Sequence, residues 1–254
     1  MSNVQSIERA FTILKILSQY PNGLRITNLA QKAGLSKSTA HRIASTLVNL
    51  EYVYKNPETE KYILGNELIR LTGSMLSNLD VIKVADPYLT NLSRSINETV
   101  HLCVEDNGEV LYVDKKESNQ RFRMYSTIGS RGPLYCSAVG KILLSGMEES
   151  YFNEVINNIK FIARTERTIT SIEELKKEIK KVKLQGYALD DKENEEGLRC
   201  IGGPIYDFKG NTIASFSISG PASRLTLEKV ENELAEKIKI TSKQISEEFG
   251  YVTK

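Results

Sequence analysis

Cysteine and histidine are scarce in this chain. Of its 254 residues only three are cysteines, Cys103, Cys136 and Cys200, and none stands in CxxC spacing. Only two are histidines, His41 and His101. An odd number of unpatterned cysteines implies neither a disulfide framework nor a zinc site, and two histidines argue against His-rich metal chemistry. We therefore expect no bound metal and no cofactor.

Long apolar runs are also missing. No stretch approaches the roughly 18 to 20 apolar residues of a membrane span, and the opening MSNVQSIERA lacks the basic and then apolar layout of a signal peptide. With 40% hydrophobic and 26% charged residues, the composition is that of a soluble globular protein. We expect the protein in the cytoplasm.

A large net charge is absent too, but the existing charge is unevenly placed. The net charge is +2, whereas residues 1–65 carry eight Lys and Arg against four Glu, which makes +4 there and leaves −2 for the rest. A small basic module on a slightly acidic body indicates that the basic end meets a polyanion.

Hydrophobic spacing in the basic module predicts three helices followed by a β-hairpin. Gly34 suits the positive φ of a tight turn, and Ser36 suits the cap of the helix that follows. The expected elements are helices over 7–17, 26–32 and 37–50, and strands over 52–55 and 61–64. This order is that of a winged helix-turn-helix.

The third predicted helix has a polar face suited to DNA. Its stretch SKSTAHRI, residues 36–43, combines hydroxyl, Lys, His and Arg donors opposite an apolar stripe. Arg42 suits a two-bond contact to guanine, whereas Lys37 and the hydroxyls suit phosphates. The predicted DNA-contacting residues are Arg25, Ser36, Lys37, Ser38, Thr39, His41, Arg42, Lys55 and Lys61.

Two other interpretations of this stretch carry less weight. The first is an ordinary amphipathic helix with a solvated face, which the neighbouring turn, hairpin and positive charge disfavour. The second is a catalytic role for Ser36, Ser38 or His41, which lacks an acid within the cluster to orient the histidine.

Beyond residue 65 the pattern changes to alternating strands and helices. A helix over 66–79 is expected to link two modules and to pair with its copy in a dimer, and the next helix is expected to begin at Asp86-Pro87. Hairpin signals such as Asn107-Gly108, mixed with helices that begin near Ser137 and Ser171, indicate an α+β domain around an antiparallel sheet. We predict a winged-helix domain over 1–65, a linker helix over 66–79 and a second domain over 80–254.

Five stretches stand in the order expected of IclR-type bacterial transcriptional regulators, which the chain resembles over nearly its whole length. They are SIERAFTILKIL, LAQKAGLSKSTAHRIASTL, PLYCSAVGKILL, GYALDDKENEEGLRCIGGPIYD and ASFSISGPASRLT. The resemblance implies a winged helix-turn-helix joined by a linker helix to a GAF/profilin-like α/β effector-binding domain, assembled as homodimers or homotetramers. The stretch RMYSTIGSRGPLYCSAVGK is most similar to the subgroup that responds to sugar acids such as 2-keto-3-deoxygluconate.

The resemblance also implies a set of effector-binding residues. Backbone N–H groups near 138–140 are expected to hold a carboxylate at a helix start. Ser217 and Ser219 share one face of their predicted strand, so their hydroxyls suit a polyhydroxylated or keto acid. The expected residues are Met124, Ala138, Val139, Asp190, Leu198, Cys200, Ser217 and Ser219.

Several of these residues have alternative interpretations. Asp190 would accept from a hydroxyl at the far end of the effector, but a solvated loop acid within DDKENEEG is equally favoured. Cys200 fits a small lining residue better than a reactive thiol, and Ser217 and Ser219 can also face solvent. The glycines of Ile201-Gly202-Gly203 are expected to widen the pocket.

These observations favour an effector-controlled repressor of sugar-acid catabolism, with aromatic-acid or glyoxylate/acetate-type catabolism as the alternative. Paired winged helices would bind a pseudo-palindromic operator, and the effector would act through the 66–79 linker. An enzyme acting on a small acid through Cys200 or Asp190 is less favoured, because no nucleophile–base–orienter set appears and His101 stands alone. A DNA-binding scaffold whose second domain only oligomerises is the third interpretation.

Overall fold

The computed structural model describes residues 4–76, 80–120 and 126–252, without the side chains of 72–76. The chain divides into two compact units, Met1–Leu79 and Asp80–Lys254. Within the described ranges, no helix is long and apolar enough to cross a membrane.

The first unit is a winged helix-turn-helix, as predicted. Its three strands pair antiparallel in the order β1-β3-β2. The predicted linker helix corresponds to α4, and positions 77–79 of the prediction lie outside the described residues. The elements are α1 (Gln5–Ser18), β1 (Leu24–Arg25), α2 (Ile26–Lys32), α3 (Lys37–Asn49), β2 (Val53–Lys55), β3 (Lys61–Leu64) and α4 (Glu67–Leu76).

Local chemistry explains where α3 begins. Gly34 has the left-handed φ of +64° that the turn requires. The Ser36 hydroxyl accepts a hydrogen bond from the Thr39 backbone N–H at 3.2 Å, which caps the helix. Ala40 and Ala44 are fully buried against the core of the unit, so the opposite side of α3 faces outward.

The second unit is an α+β domain with a six-stranded antiparallel sheet in the order β6-β5-β4-β9-β8-β7, which confirms the predicted fold class. A π-helical turn over Val230–Leu234 connects its last two helices. The helices are α5 (Val81–Ile96), α6 (Ala138–Gly146), α7 (Glu149–Asn158), α8 (Ile172–Gln185), α9 (Leu227–Lys229) and α10 (Ala235–Glu248). The strands are β4 (Thr99–Asp106), β5 (Glu109–Lys116), β6 (Arg131–Gly132), β7 (Ala188–Asp191), β8 (Leu198–Tyr206) and β9 (Thr212–Pro221).

Two consecutive glycines of β8 decide how helices pack on the sheet. A Cβ on Gly202 would lie 3.2 Å from the carbonyl carbon of Ala138, and one on Gly203 would lie 2.6 Å from Cγ2 of Ile238. Successive strand residues point to opposite faces. The glycines therefore let α6 and α10 approach opposite faces of β8.

The predicted start of α5 at Asp86-Pro87 is wrong. The helix is capped by Asp80, whose Oδ1 accepts from the backbone N–H of Ile82 at 3.0 Å, and Pro87 lies inside it. Ala85 and Leu89 are buried on one side. This packing outweighs the loss of one backbone hydrogen bond at the proline.

Candidate functional site

The predicted DNA-contacting residues lie on the outward side of α3, at the start of α2 and on the β2–β3 hairpin. In the described part of the chain, the cationic groups of Arg25, Lys37 and Arg42 form no ion pair. They are therefore available for phosphates or bases. Exposed residues are Arg25, Ser36, Lys37, Ser38, His41 and Arg42, and half-buried ones are Thr39, Lys55 and Lys61.

Some of these side chains also have partners within the unit. The Ser36 hydroxyl, which caps α3, lies 2.8 Å from Oγ1 of Thr39. The ammonium group of Lys55 forms an ion pair with Glu60 and stands 5.9 Å from the ring centre of Tyr62. Lys37 and Arg42 of α3 are therefore better placed to contact DNA than Lys55 of the hairpin.

A polar cavity of about 270 Å³ lies in the second unit, at the start of α6 and beside β4, β8 and β9. The structure brings all the described candidates for effector binding together around it: Ala138, Val139, Asp190, Leu198, Cys200, Ser217 and Ser219. Met124 lies outside the described residues. Ser217 and Ser219 are buried beside the cavity and do not face bulk solvent.

Gly202 and Gly203 do not line the cavity, so the expectation that they widen the cavity is wrong.

The helix start at the cavity suits an anion. The Ser137 hydroxyl accepts from the backbone N–H of Gly140 at 3.1 Å and donates to the carbonyl of Pro133 at 2.6 Å, which holds the helix end in place. Ala138 and Val139 follow as the first helical residues, and first-turn N–H groups have no partner within their helix. The positive end of the helix dipole adds to this attraction for negative charge.

Arg164 also lines the cavity, although sequence patterns did not indicate it. Within the described ranges its guanidinium forms no ion pair, whereas Arg131, another lining residue, pairs with Asp106 and Glu109. The backbone N–H of Arg164 donates to Oγ1 of Thr168 at 3.0 Å, which fixes this part of its loop. A free guanidinium of this kind suits a carboxylate.

Asp190 is not a solvated loop acid. It lies in β7, is only 3% exposed, and its Oδ1 accepts from the backbone N–H groups of Glu193 at 2.8 Å and Asn194 at 3.3 Å. Burial raises the pKa of its carboxyl to about 7. Near neutral pH the side chain is therefore partly protonated, which weakens its repulsion of an anionic ligand.

A buried ammonium group lies next to this part of the cavity. Lys141 of α6 is fully buried, and its Nζ lies 2.7 Å from Oε1 of Glu193 and 3.3 Å from Oε1 of Glu178. Through Glu193, it ties α6 to the loop that follows Asp190. This ion pair fixes the position of the Asp190 side of the cavity relative to the start of α6.

Cys200 has the properties of a lining residue. Burial raises the pKa of its thiol well above its ordinary value, and burial raises that of nearby Cys136 to about 12. A thiol that stays protonated is a poor nucleophile. The environment therefore gives no support to a reactive cysteine.

His101 also lines the cavity, and it does not stand alone in its strand as expected. Its ring is 2% exposed and lies between two serines, with Nε2 2.6 Å from Oγ of Ser126 and Nδ1 3.3 Å from Oγ of Ser219. Tyr112 meets the ring edge-on at 5.2 Å between centres. Strand alternation places His101 on one face of β4, but only the pairing of β4 with β9 brings that face to the serines.

An outward-facing basic winged helix-turn-helix and a separate unit with a polar cavity are together the parts of a DNA-binding transcriptional regulator. The family model for the IclR helix-turn-helix domain matches residues 6–57, and that for the bacterial transcriptional regulator IclR C-terminal domain matches residues 73–247. The chain belongs to the IclR family of bacterial transcriptional regulators.

Individual proteins of this family are similar to the chain over nearly its full length. The chain is 39% identical over 249 residues to the HTH-type transcriptional regulator KdgR of Escherichia coli, covering 98% of this chain and 94% of the relative. It is 38% identical over 249 residues to KdgR of Dickeya chrysanthemi, covering 98% and 81%. The crystal structure of the Agrobacterium tumefaciens repressor BlcR superposes with a TM-score of 0.80 at 29% identity, covering 100% of both chains. These similar proteins are all regulators.

Proposed function

We propose that this regulator is a repressor whose DNA binding is controlled by a small sugar acid, such as 2-keto-3-deoxygluconate, held in the cavity of the second unit. The polarity of that cavity carries the proposal. A helix start offers positive charge on its lining, as does Arg164, which has no ion pair among the described residues, and Ser217 and Ser219 offer hydroxyls.

The size and the donors favour a small acid over a bulky one. The cavity volume of about 270 Å³ lies just below the roughly 300 to 1,000 Å³ of sites for drug-sized ligands. A carboxylate would bind the N–H groups of Ala138 and Val139, with Arg164 as a second cationic partner. Hydroxyl or keto oxygens would bind the serines and Asp190. Close similarity to the two KdgR regulators supports a sugar acid.

The proposal also assigns roles in the first unit. Arg42 contacts a base, Lys37 contacts a phosphate, and the remaining predicted residues of α3, Arg25, Lys55 and Lys61 support the docking. A homodimer or homotetramer places two winged helices on half-sites about one helical turn apart. Residues 66–79 act as the linker through which the effector shifts the DNA-binding equilibrium.

Fluorescence anisotropy with labelled DNA from upstream of the gene tests the effector response. At one stated salt concentration, 2-keto-3-deoxygluconate should weaken specific binding by at least about tenfold, a coupling in the usual range. Arg164→Gln should abolish this response while keeping DNA affinity. Arg94→Gln, which removes an exposed arginine that does not line the cavity, should keep both. Specific binding that ignores the sugar acid in wild type would refute this effector assignment.

The DNA contacts need a separate experiment. Lys37→Ala should reduce the slope of log affinity against log salt by about one, because one phosphate contact is lost. Arg42→Ala should cost about 1–3 kcal/mol on the specific site and relax discrimination at one base pair. Lys183→Ala, an exposed α8 lysine, is the charge-matched control. Equal losses on specific and random DNA for Arg42→Ala would contradict base recognition.

A further inference from the structure

A row of hydrogen-bonding groups lines one side of the cavity. The hydroxyls of Ser217 and Ser219 lie 3.3 Å apart, Oγ of Ser219 lies 3.3 Å from Nδ1 of His101, and Nε2 of His101 lies 2.6 Å from Oγ of Ser126. Two neighbouring strands, β9 and β4, and the segment before β6 supply these groups. We call this row the serine–histidine chain.

His101 controls which groups in the chain donate and which accept. The ring is buried, and burial together with the nearby charge of Lys115 lowers its pKa to about 3. A neutral imidazole has one N–H donor and one acceptor nitrogen. If Nε2 donates to Ser126, then Nδ1 accepts from Ser219, and the reverse tautomer reverses both bonds. The proton on His101 therefore orients the hydroxyls beside the cavity.

The segment that carries Ser126 is held close to the ring. Nζ of Lys115 donates to the backbone carbonyl of Ser126 at 2.9 Å. The adjacent Lys115 charge disfavours a second positive charge on His101. With a neutral ring, the serine–histidine chain can both donate to and accept from an uncharged hydroxyl of the ligand. A doubly protonated ring would only donate, and it would favour a ligand with a second carboxylate.

We propose that His101, backed by Ser126, is a specificity-determining residue of the cavity, which orients the hydroxyls of Ser217 and Ser219 to bind hydroxyl groups of the effector. The inference rests on the proposed function and adds that the site selects its effector by the hydroxyl groups. It selects acids with one carboxylate and several hydroxyls over acids of the same length without hydroxyls. An acid without hydroxyls leaves the ligand-facing donor and acceptor sites of this buried row unpaired, which disfavours its binding.

Two probes of matched length test the selection, namely 2-keto-3-deoxygluconate and 2-ketohexanoate, the six-carbon keto acid without the hydroxyls. Calorimetric titration of the full-length protein should give wild type a preference of at least about tenfold for the hydroxylated acid. His101→Phe keeps an aromatic ring but removes both nitrogens, and it should lower this ratio by about tenfold through weaker binding of the hydroxylated acid alone. His101→Asn keeps one donor and one acceptor and should recover part of the ratio.

Further variants separate selection from folding. Ser126→Ala leaves the buried ring in place and should also lower the ratio, which keeps the inference testable if His101→Phe does not fold. Ser242→Ala removes a buried hydroxyl that donates to the carbonyl of Pro204, away from the cavity, and should leave the ratio unchanged. Equal loss of both acids, or an unchanged ratio in folded variants, overturns the inference while the proposed function stands. If wild type binds neither acid, the proposed function fails and the inference fails with it.

Discussion

Replacing Asp190 by asparagine removes a buried charge while it keeps the shape of the side chain. Oδ1 of Asp190 accepts from the backbone N–H groups of Glu193 and Asn194, and the amide oxygen of an asparagine can accept the same two bonds. The substitution therefore changes the ionisation of this site with little change in its hydrogen bonding.

The expected effect depends on pH. Burial, opposed by the hydrogen bond from Glu193, raises the pKa of the Asp190 carboxyl from 3.8 to about 7. The folded protein thus holds this proton more tightly than the unfolded chain, so wild type loses stability as pH rises from about 4 to about 7. Roughly three pH units at about 1.4 kcal/mol each predict that Asp190→Asn gains about 4 kcal/mol over wild type across this window.

Urea unfolding of the full chain, followed by circular dichroism, measures this difference between about pH 4.5 and about pH 8. Asp207→Asn is the matched control. Burial raises the pKa of Asp207, but hydrogen bonds from Asn211, Lys209 and Gly210 outweigh it and leave the pKa below its ordinary value of 3.8. Its stabilisation is present above that value and is lost only as pH falls through the folded pKa, so this variant should be less stable by a constant amount in the window. A stability difference between Asp190→Asn and wild type that stays the same across this pH window would exclude the raised pKa of Asp190.

Three further substitutions have defined outcomes. Ser36→Ala removes the cap that accepts from Thr39 and should lower the free energy of unfolding by about 1 kcal/mol in urea titrations; unchanged stability would exclude the capping role. Gly140→Ala places a Cβ 2.5 Å from Cα of Leu134 and should cost at least about 2 kcal/mol in thermal unfolding, and a neutral result would contradict this close packing. Cys200→Ser should retain effector binding in calorimetry. If wild type turned over an acid and this variant did not, catalysis by Cys200 would be indicated instead.

Short-range signals were enough for most helix boundaries. The hydroxyls of Ser36, Ser137 and Ser171 cap the predicted helices, because each accepts from a backbone N–H three residues further on. Gly34 and Gly186 take the positive φ expected of a turn and a helix end. These features depend on bonds within a few residues, so local sequence is enough to predict them. The resemblance to a family added the cavity residues that local patterns do not reveal.

The surroundings of the cavity depend instead on contacts between distant parts of the chain. His101 meets Ser219, 118 positions further on, because β4 pairs with β9, and no local pattern distinguishes that pairing from others. Asp190 is buried since the loop after β7 folds back through the Glu193–Lys141 ion pair. Gly203 admits α10 where a wider pocket was expected. Contacts of this kind depend on the packing of the whole unit, because their free energy comes from residues far apart in the chain.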